Sequence, residues 1–492
     1  MNGNPMLLFP VLLPVLAGLA LPLVPAFREK KPRRIYTAAV LGLNLVLFFG
    51  MAAGGGGELF LFSLTDALPV FFRTDGLALL FGGLVSVMWL ASGIFSFEYM
   101  EHEKNHVRYY SFFLISLGVL LGLGFAGNYV TLYLFFELMT LLTMPLALHS
   151  GTKEAVAAGI KYVKYSIFGA SLGLLGLFFL YHYGTTFTFV PGGVLDMSRV
   201  AGHEGMLRIV FFLVVAGFGA KAGMFPLHAW LPTAHPVAPA PASAVLSGVI
   251  TKAGVLAILR VIYYQVGVEF LFGTWVQTAW LILALITVFM GSMMAYRENV
   301  LKKRLAYSTV SQVSYVLFGV FLMNQTAMTG ALLHVVCHSV IKDVLFLCAG
   351  AIIYQTHKTE VGQLRGIGKE MPVVMWCFTL VSLALIGIPP LCGFISKWYL
   401  AMGSLESGIS VIAWLGPVIL LVSALLTAGY LFSITIAGFF PGADADYTAL
   451  EKKEPSRFMT VPLVILTAAA VLLGVFPKPL LDFIQTIVSA VL

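Results

Sequence analysis

The chain has 492 residues, of which 59% are hydrophobic and 10% charged, and its formal net charge is +7. Soluble domains are roughly 45–50% apolar and about 25% charged, so a soluble enzyme of this length is excluded. The apolar runs are continuous and helix-length, which also excludes a transmembrane β-barrel built from alternating strands.

In chain order the apolar runs are 6–27, 35–54, 77–97, 109–127, 129–149, 162–184, 207–226, 240–264, 275–296, 303–323, 327–353, 372–401, 409–438 and 458–490. A bilayer crossing takes roughly 20 apolar residues. The pattern predicts an all-α polytopic membrane protein with about 14 transmembrane helices and no linker long enough for a soluble domain. No basic stretch precedes the first run, so it reads as a retained helix rather than a cleaved signal.

The loops alternate in charge. The first, Arg28-Glu29-Lys30-Lys31-Pro32-Arg33-Arg34, is strongly basic. Every second loop after it is basic too: Lys104 and Arg108; Lys153, Lys161 and Lys164; Arg297, Lys302, Lys303 and Arg304; Lys358, Arg365 and Lys369; Lys452, Lys453 and Arg457. Those loops hold most of the 29 basic residues. Basic loops stay on the cytoplasmic side, so both termini are expected outside, in a multi-pass protein of the cell inner membrane. The net charge is then explained by topology, and no nucleic-acid patch is expected.

Lys221, Lys252, Lys342 and Lys397 lie inside apolar segments, as does one acid, Glu137. A charge at the bilayer centre costs about 2.5–3.5 kcal/mol and marks function by default. The competing reading is structural ion pairs, or lysines snorkelling to the interface. It is weak for Glu137, set between Tyr129–Phe136 and Leu138–Leu148, and for Lys252. It is fairer for Lys397 beside a helix break, and for Lys342, which the adjacent Asp343 could neutralise.

Two segments carry helix breakers beside these charges. One runs from Gly219-Ala220-Lys221-Ala222-Gly223 through Pro226, Pro232, Pro236, Pro239 and Pro241; the other is Gly387-Ile388-Pro389-Pro390-Leu391-Cys392-Gly393 before Lys397. Proline breaks the helical ladder, and paired interrupted helices in two halves point to an ion path. Counting from the fourth segment, helices 4–8 (108–266) and 9–13 (267–440) form two five-helix repeats. Five is odd, so the two are inverted. Residues 1–107 form an N-terminal three-helix segment, and 441–492 a C-terminal loop and last helix.

His334, His338 and Lys342 fall at i, i+4 and i+8, on one helix face and about 6 Å apart per step. The spacing suits a proton wire bridged by water. Buried core histidines are an alternative, and so is a metal site, for which a third ligand and the Glu of H-E-x-x-H are missing. Cys337, Cys348, Cys377 and Cys392 show no C-x-x-C spacing, so neither an iron–sulfur cluster nor a zinc is expected. No cofactor motif is present.

Lys221 with P-L-H-x-W-L-P-x-A-H-x-x-A-P-x-P-x-S through Ser243, then Lys252 in T-K-A-G, resembles the antiporter-like subunits of complex I (chains L, M and N) and of Mrp-type cation/proton antiporters. Glu137 in L-F-F-E-L-M, His334, His338, Lys397 after P-P-L-C-G-F, and Asp75-Gly76-Leu77 also match. The resemblance implies fourteen helices with two inverted five-helix repeats, a Glu137–Lys221 pair, a bridging Lys252 and a second half ending at Lys397. It further implies proton translocation, with exchange for Na+ in the Mrp case, inside an assembly with other membrane subunits. Lys397 stands where chain M has a glutamate, and no lateral helix of the chain L kind follows residue 490. The chain is most similar to the D component of Mrp antiporters and its counterparts in membrane-bound hydrogenases. A translocating subunit of a redox-driven complex and a non-transporting scaffold are the alternatives, and any redox chemistry resides in other chains.

Overall fold

The structure, a computed structural model, describes residues 3–442 and 451–492; the start of the expected C-terminal loop, 443–450, lies outside them. Leaving aside single-turn helices, the chain forms α1 Phe9–Ala20, α2 Lys30–Ala53, α3 Gly76–Tyr99, α4 His106–Gly124, α5 Tyr129–Ala147 and α6 Lys153–Tyr183. Then come α7 Glu204–Ala222, α8 Leu231–Val237, α9 Ala240–Val266, α10 Trp275–Arg297, α11 Leu301–Phe321 and α12 Gln325–Thr356. The last five are α13 Pro372–Ile386, α14 Cys392–Leu405, α15 Ser410–Phe439, α16 Arg457–Val475 and α17 Lys478–Ser489.

Eleven helices of the described residues are long and apolar enough to cross a membrane. The other crossings have visible causes. α13 and α14 share one crossing across a break, as α7, already among the eleven, does with α8. α1 is short. α11 is rich in Ser, Thr and Gln, yet all of it but Lys303 and Tyr307 is buried, so lipid never selects its composition. With α1, α11 and the α13–α14 pair, the eleven make fourteen crossings among the described residues, as the apolar runs predict.

Three details depart from the sequence reading. The last apolar run is two helices, because the chain turns at Phe476-Pro477 and α17 buries only Ile484, Ile487 and Val488 while Asp482, Gln485 and Ser489 stay exposed. Lys161 and Lys164 are not loop residues but sit within α6. The loop before α3 forms an antiparallel hairpin, β1 Glu58–Ser63 with β2 Pro69–Arg73, in which Phe60 faces Phe71.

The two five-helix units repeat their neighbour relations. α4 packs on α5, α5 on α6 and α6 on α7; likewise α10 packs on α11, α11 on α12 and α12 on α14. Glycines allow the closest approaches. A Cβ at Gly169 of α6 would collide with the Gly217 oxygen of α7, and one at Gly330 of α12 would meet the Leu400 nitrogen of α14 at 2.7 Å. Small residues of this kind let membrane helices approach backbone to backbone.

The basic loops gather at one end of the bundle. Lys30 pairs with Glu101, His149 meets the Lys104 oxygen, Lys302 reaches the Pro236 and Ala238 oxygens, and Lys453 donates to the Glu370 oxygen. At the opposite end, Asn4 donates to Glu58, Arg73 to Phe125 and Val194 to Gln265, and Ile487 packs over Gly76. Both ends of the described chain therefore lie away from the basic loops.

Candidate functional site

The first break is built around Lys221. α7 stops because Gly223 takes a left-handed φ of 82° and Pro226 follows. The indole of Trp230 donates to the Ala220 oxygen at 2.8 Å, satisfying a carbonyl that the break leaves free. The Lys221 ammonium, 1% exposed, donates to Thr140 Oγ1 at 2.9 Å, Tyr162 OH at 2.6 Å and Ser166 Oγ at 3.2 Å. It also lies 4.3 Å from the centre of the Tyr162 ring and 5.9 Å from that of Trp230.

Glu137 is half-buried on α5 and accepts a hydrogen bond from Tyr133 at 3.2 Å. It forms no ion pair with Lys221. Thr140, one turn further along the same face of α5, stands at the lysine instead. The two residues expected to pair are neighbours separated by one turn of helix.

Lys252 is fully buried in α9. A π turn at Leu246–Ile250 inserts an extra residue per turn, as such bulges do near functional sites. The Lys252 ammonium folds back onto the Ser247 oxygen at 2.5 Å, which also accepts from Thr251 Oγ1 at 2.9 Å.

In α12 the imidazoles of His334 and His338 stack, with centroids 5.8 Å apart and planes 16° from parallel; the i, i+4 spacing delivers the expected step. His334 is held by Ser396 Oγ at 2.8 Å and Gln312 Oε1 at 3.1 Å. Neither ring nitrogen of His338 has a partner. Lys342 donates to the Leu305 oxygen at 3.0 Å and to Ser308 Oγ, both on α11.

Asp343 does not neutralise Lys342. Adjacent helical residues diverge, and Asp343 turns to α3 and α9, where Ser92 Oγ donates to it at 3.2 Å. Lys397 bridges the second break by donating to the Leu385 oxygen at 2.6 Å and the Ile386 oxygen at 2.9 Å, the freed end of α13. It lies 5.1 Å from the centre of the Tyr315 ring, which itself stacks on His334 at 5.5 Å.

The structure thus brings Lys397, His334, His338 and Lys342 into one row and places Lys221 and Lys252 in the other half. No hydrogen bond links Lys221 to Lys252 among the described residues, although their helices touch where a Cβ at Gly254 would meet the Ala222 nitrogen at 2.7 Å. Sequence reasoning missed the neutral groups Thr140, Tyr162, Ser166 and Ser308, which hold lysines, and Gln312 and Ser396, which hold His334. It also missed His235, fully buried against Phe346 at 4.6 Å with neither nitrogen satisfied.

Residues 126–432, which contain every one of these lysines and histidines and Glu137, match the family model described as NADH:quinone oxidoreductase/Mrp antiporter, TM. NADH-quinone oxidoreductase subunit N of Desulforudis audaxviator is 34% identical over 81% of this chain and 80% of its own length. The D component of the Na(+)/H(+) antiporter of Alkalihalophilus pseudofirmus is 28% identical over 99% of this chain and 97% of its own. The fold is shared with a chain of the archaeal membrane-bound sulfane sulfur reductase (TM-score 0.86, 21% identity, 99% of this chain and 98% of that one). It is also shared with a chain of the Mrp complex from Dietzia sp. DQ12-45-1b (TM-score 0.84, 21% identity, 99% of this chain and 97% of that one). The chain is an antiporter-like membrane subunit and belongs to the NADH:quinone oxidoreductase/Mrp antiporter transmembrane family.

Proposed function

We propose that the chain moves protons through Glu137, Lys221, Lys252, His338, His334, Lys342 and Lys397, as one subunit of a larger membrane assembly. One observation carries the reading: the four lysines within the apolar segments are held by hydroxyls and backbone carbonyls, not by carboxylates. A lysine kept for structure is paired. A lysine on neutral partners can exchange its proton, which an arginine cannot do.

The hydroxyls around Lys221 suit both of its states. Thr140, Tyr162 and Ser166 accept from an ammonium and can turn to donate to an amine, so the cage persists when the proton leaves. Glu137, one turn away, biases the lysine towards its charged form without locking it there. The stacked histidines provide the step between the lysines of the second half. His338, with both nitrogens unpartnered, can take a proton on one side and release it from the other through water.

The basic loops at one end support a cytoplasmic side there, and hence termini on the outside of the inner membrane. The division at 1–107, 108–266, 267–440 and 441–492 follows the two broken-helix units. The relatives, named as subunits of larger systems, support placing the chain beside other membrane subunits, themselves antiporter-like.

The test is proton movement in vesicles carrying the assembled complex. Lys221→Ala and Glu137→Ala should each abolish it while insertion and assembly persist. Near-normal movement in assembled Glu137→Ala complexes would overturn the reading.

A further inference from the structure

Asp343 is a fully buried acid for which the row of lysines and histidines has no role. Its Oδ2 receives one hydrogen bond, from Ser92 of α3 at 3.2 Å. Its Oδ1 has no partner. That free oxygen lies against the backbone of the π turn in α9, where a Cβ at Gly248 would collide with it. Only glycine leaves room for the carboxylate there.

Lys252 reaches the same spot from its own helix. It is four residues beyond Gly248, on the same face, and its ammonium rests on the oxygen of Ser247, the preceding residue. Carboxylate and ammonium therefore approach one pair of peptide units without forming an ion pair. A buried carboxylate with a vacant oxygen is costly unless a cation supplies the missing interaction. Lys252 is the cation whose ammonium reaches the same pair of peptide units, Ser247 and Gly248, that the free oxygen faces. The other charged or titratable groups at this junction are Lys342 and His338 on α12, His235 on α8 and Lys302 on α11; α3 offers only the Ser92 hydroxyl.

The two repeats single out the same residue. In the first half, the carboxylate near the lysine of the broken helix is Glu137 on α5. Its counterpart helix in the second half, α11, carries the neutral Gln312 where it meets His334. Two buried carboxylates remain in that half: Glu370, which pairs with Lys358 at 2.8 Å, and Asp343, which forms no salt bridge.

We propose that Asp343 is the counter-charge of Lys252, a positioning residue that sets the proton concentration at which the central lysine loads. The inference rests on the proton-moving function proposed above. With Asp343 ionised, Lys252 gains a compensated charge and loads readily. Without it, the ammonium is uncompensated in a dry interior and loads only at higher proton concentration. A nearby opposite charge is worth about 1–3 pH units in such a balance.

The experiment is the pH profile of proton movement in vesicles bearing the assembled complex. Asp343→Asn keeps the shape and the Ser92 contact but removes the charge. It should displace the profile to lower pH by about 1 unit or more. An assembled Asp343→Asn complex with an unmoved profile overturns the proposal, whatever its maximal rate. Should Asp343→Asn fail to assemble, the swap Asp343→Ser with Ser92→Asp returns a carboxylate from the facing helix. A wild-type profile in the swap supports the counter-charge, and a displaced or absent one refutes it. Lys221→Ala, run beside these, separates the two ideas: normal movement in that variant defeats the proton-moving function itself, whereas its loss alongside an unmoved Asp343→Asn profile defeats only the role of Asp343.

Discussion

Arg260 closes two hydrogen bonds on Asp75, 185 residues before it in the chain: Nη1 to Oδ2 at 2.5 Å and Nη2 to Oδ1 at 2.8 Å. The guanidinium is 2% exposed and lies 4.9 and 4.7 Å from the centres of the Phe189 and Tyr264 rings. Asp75 also caps α3 by accepting from the Ala78 nitrogen at 2.9 Å. Burial alone would push the Asp75 carboxyl up, but Arg260 overrules it and holds the group below its ordinary value. This pair fastens the N-terminal helices to the end of the first repeat.

Asp75→Ala would leave that guanidinium buried and unpaired, at a cost of about 3–5 kcal/mol. An earlier thermal transition of the purified complex is expected, with an unmoved pH profile of transport. A transition unchanged from wild type would show that the pair fastens nothing.

Lys252→Arg preserves the charge in α9 but gives a group that does not release its proton. Transport should fall almost as far as in Lys252→Ala, measured on assembled complexes in vesicles. Full activity in the arginine variant would mean that charge alone is required there.

Lys397 and Lys342 are the two candidates for the outward end of the proposed path. Lys342 is fully buried and held by α11, whereas Lys397 is half-buried at a break that can admit water. Lys397→Ala should block release to the outside, with Lys342→Ala blocking an earlier step. Release that survives Lys397→Ala but not Lys342→Ala would reverse the order.

His149, in the loop after α5, meets the Lys104 oxygen at 2.8 Å while Arg108 donates to the His149 oxygen at 2.5 Å. Burial pushes its imidazole down to about 4, against about 6.5 when unfolded. The folded state therefore binds fewer protons than the unfolded one between these values, and this contribution to stability is lost as pH falls from 6.5 towards 4. Amide exchange at residues 104–108 and 147–151 should rise across that window. The rise should be absent in His149→Gln, which keeps a side-chain donor without titrating.

The crossings, the two breaks and the ionisable groups were legible because each departs from a strong background of apolar residues. Lys221, Lys252 and Glu137 are conspicuous in a lipid-like sequence. The hydroxyls around Lys221 are not, since serine and threonine are common in helices that never touch lipid. Asp343 was legible as a charge but assigned to the wrong neighbour, because adjacency in sequence turns a helical side chain by about 100° and sends it to another helix. The hairpin at 58–73 carried a signal in Leu59-Phe60-Leu61-Phe62 and Pro69-Val70-Phe71-Phe72, too short to compete with the spans around it. The turn at Phe476-Pro477 was hidden for the opposite reason, since α17 is apolar enough to extend the run before it.

Trp230 caps the broken α7 with its indole nitrogen while its ring lies 5.9 Å from the Lys221 ammonium and 4.7 Å from the Tyr162 ring. Under the proposed function, a fluorophore so placed, with no exposure to solvent, would experience the appearance and loss of a full charge at close range in a medium of low dielectric constant. Its emission would then follow the proton occupancy of the neighbouring lysine. With the chain's six other tryptophans replaced, the colour of one residue would report each loading and unloading in real time, without a dye.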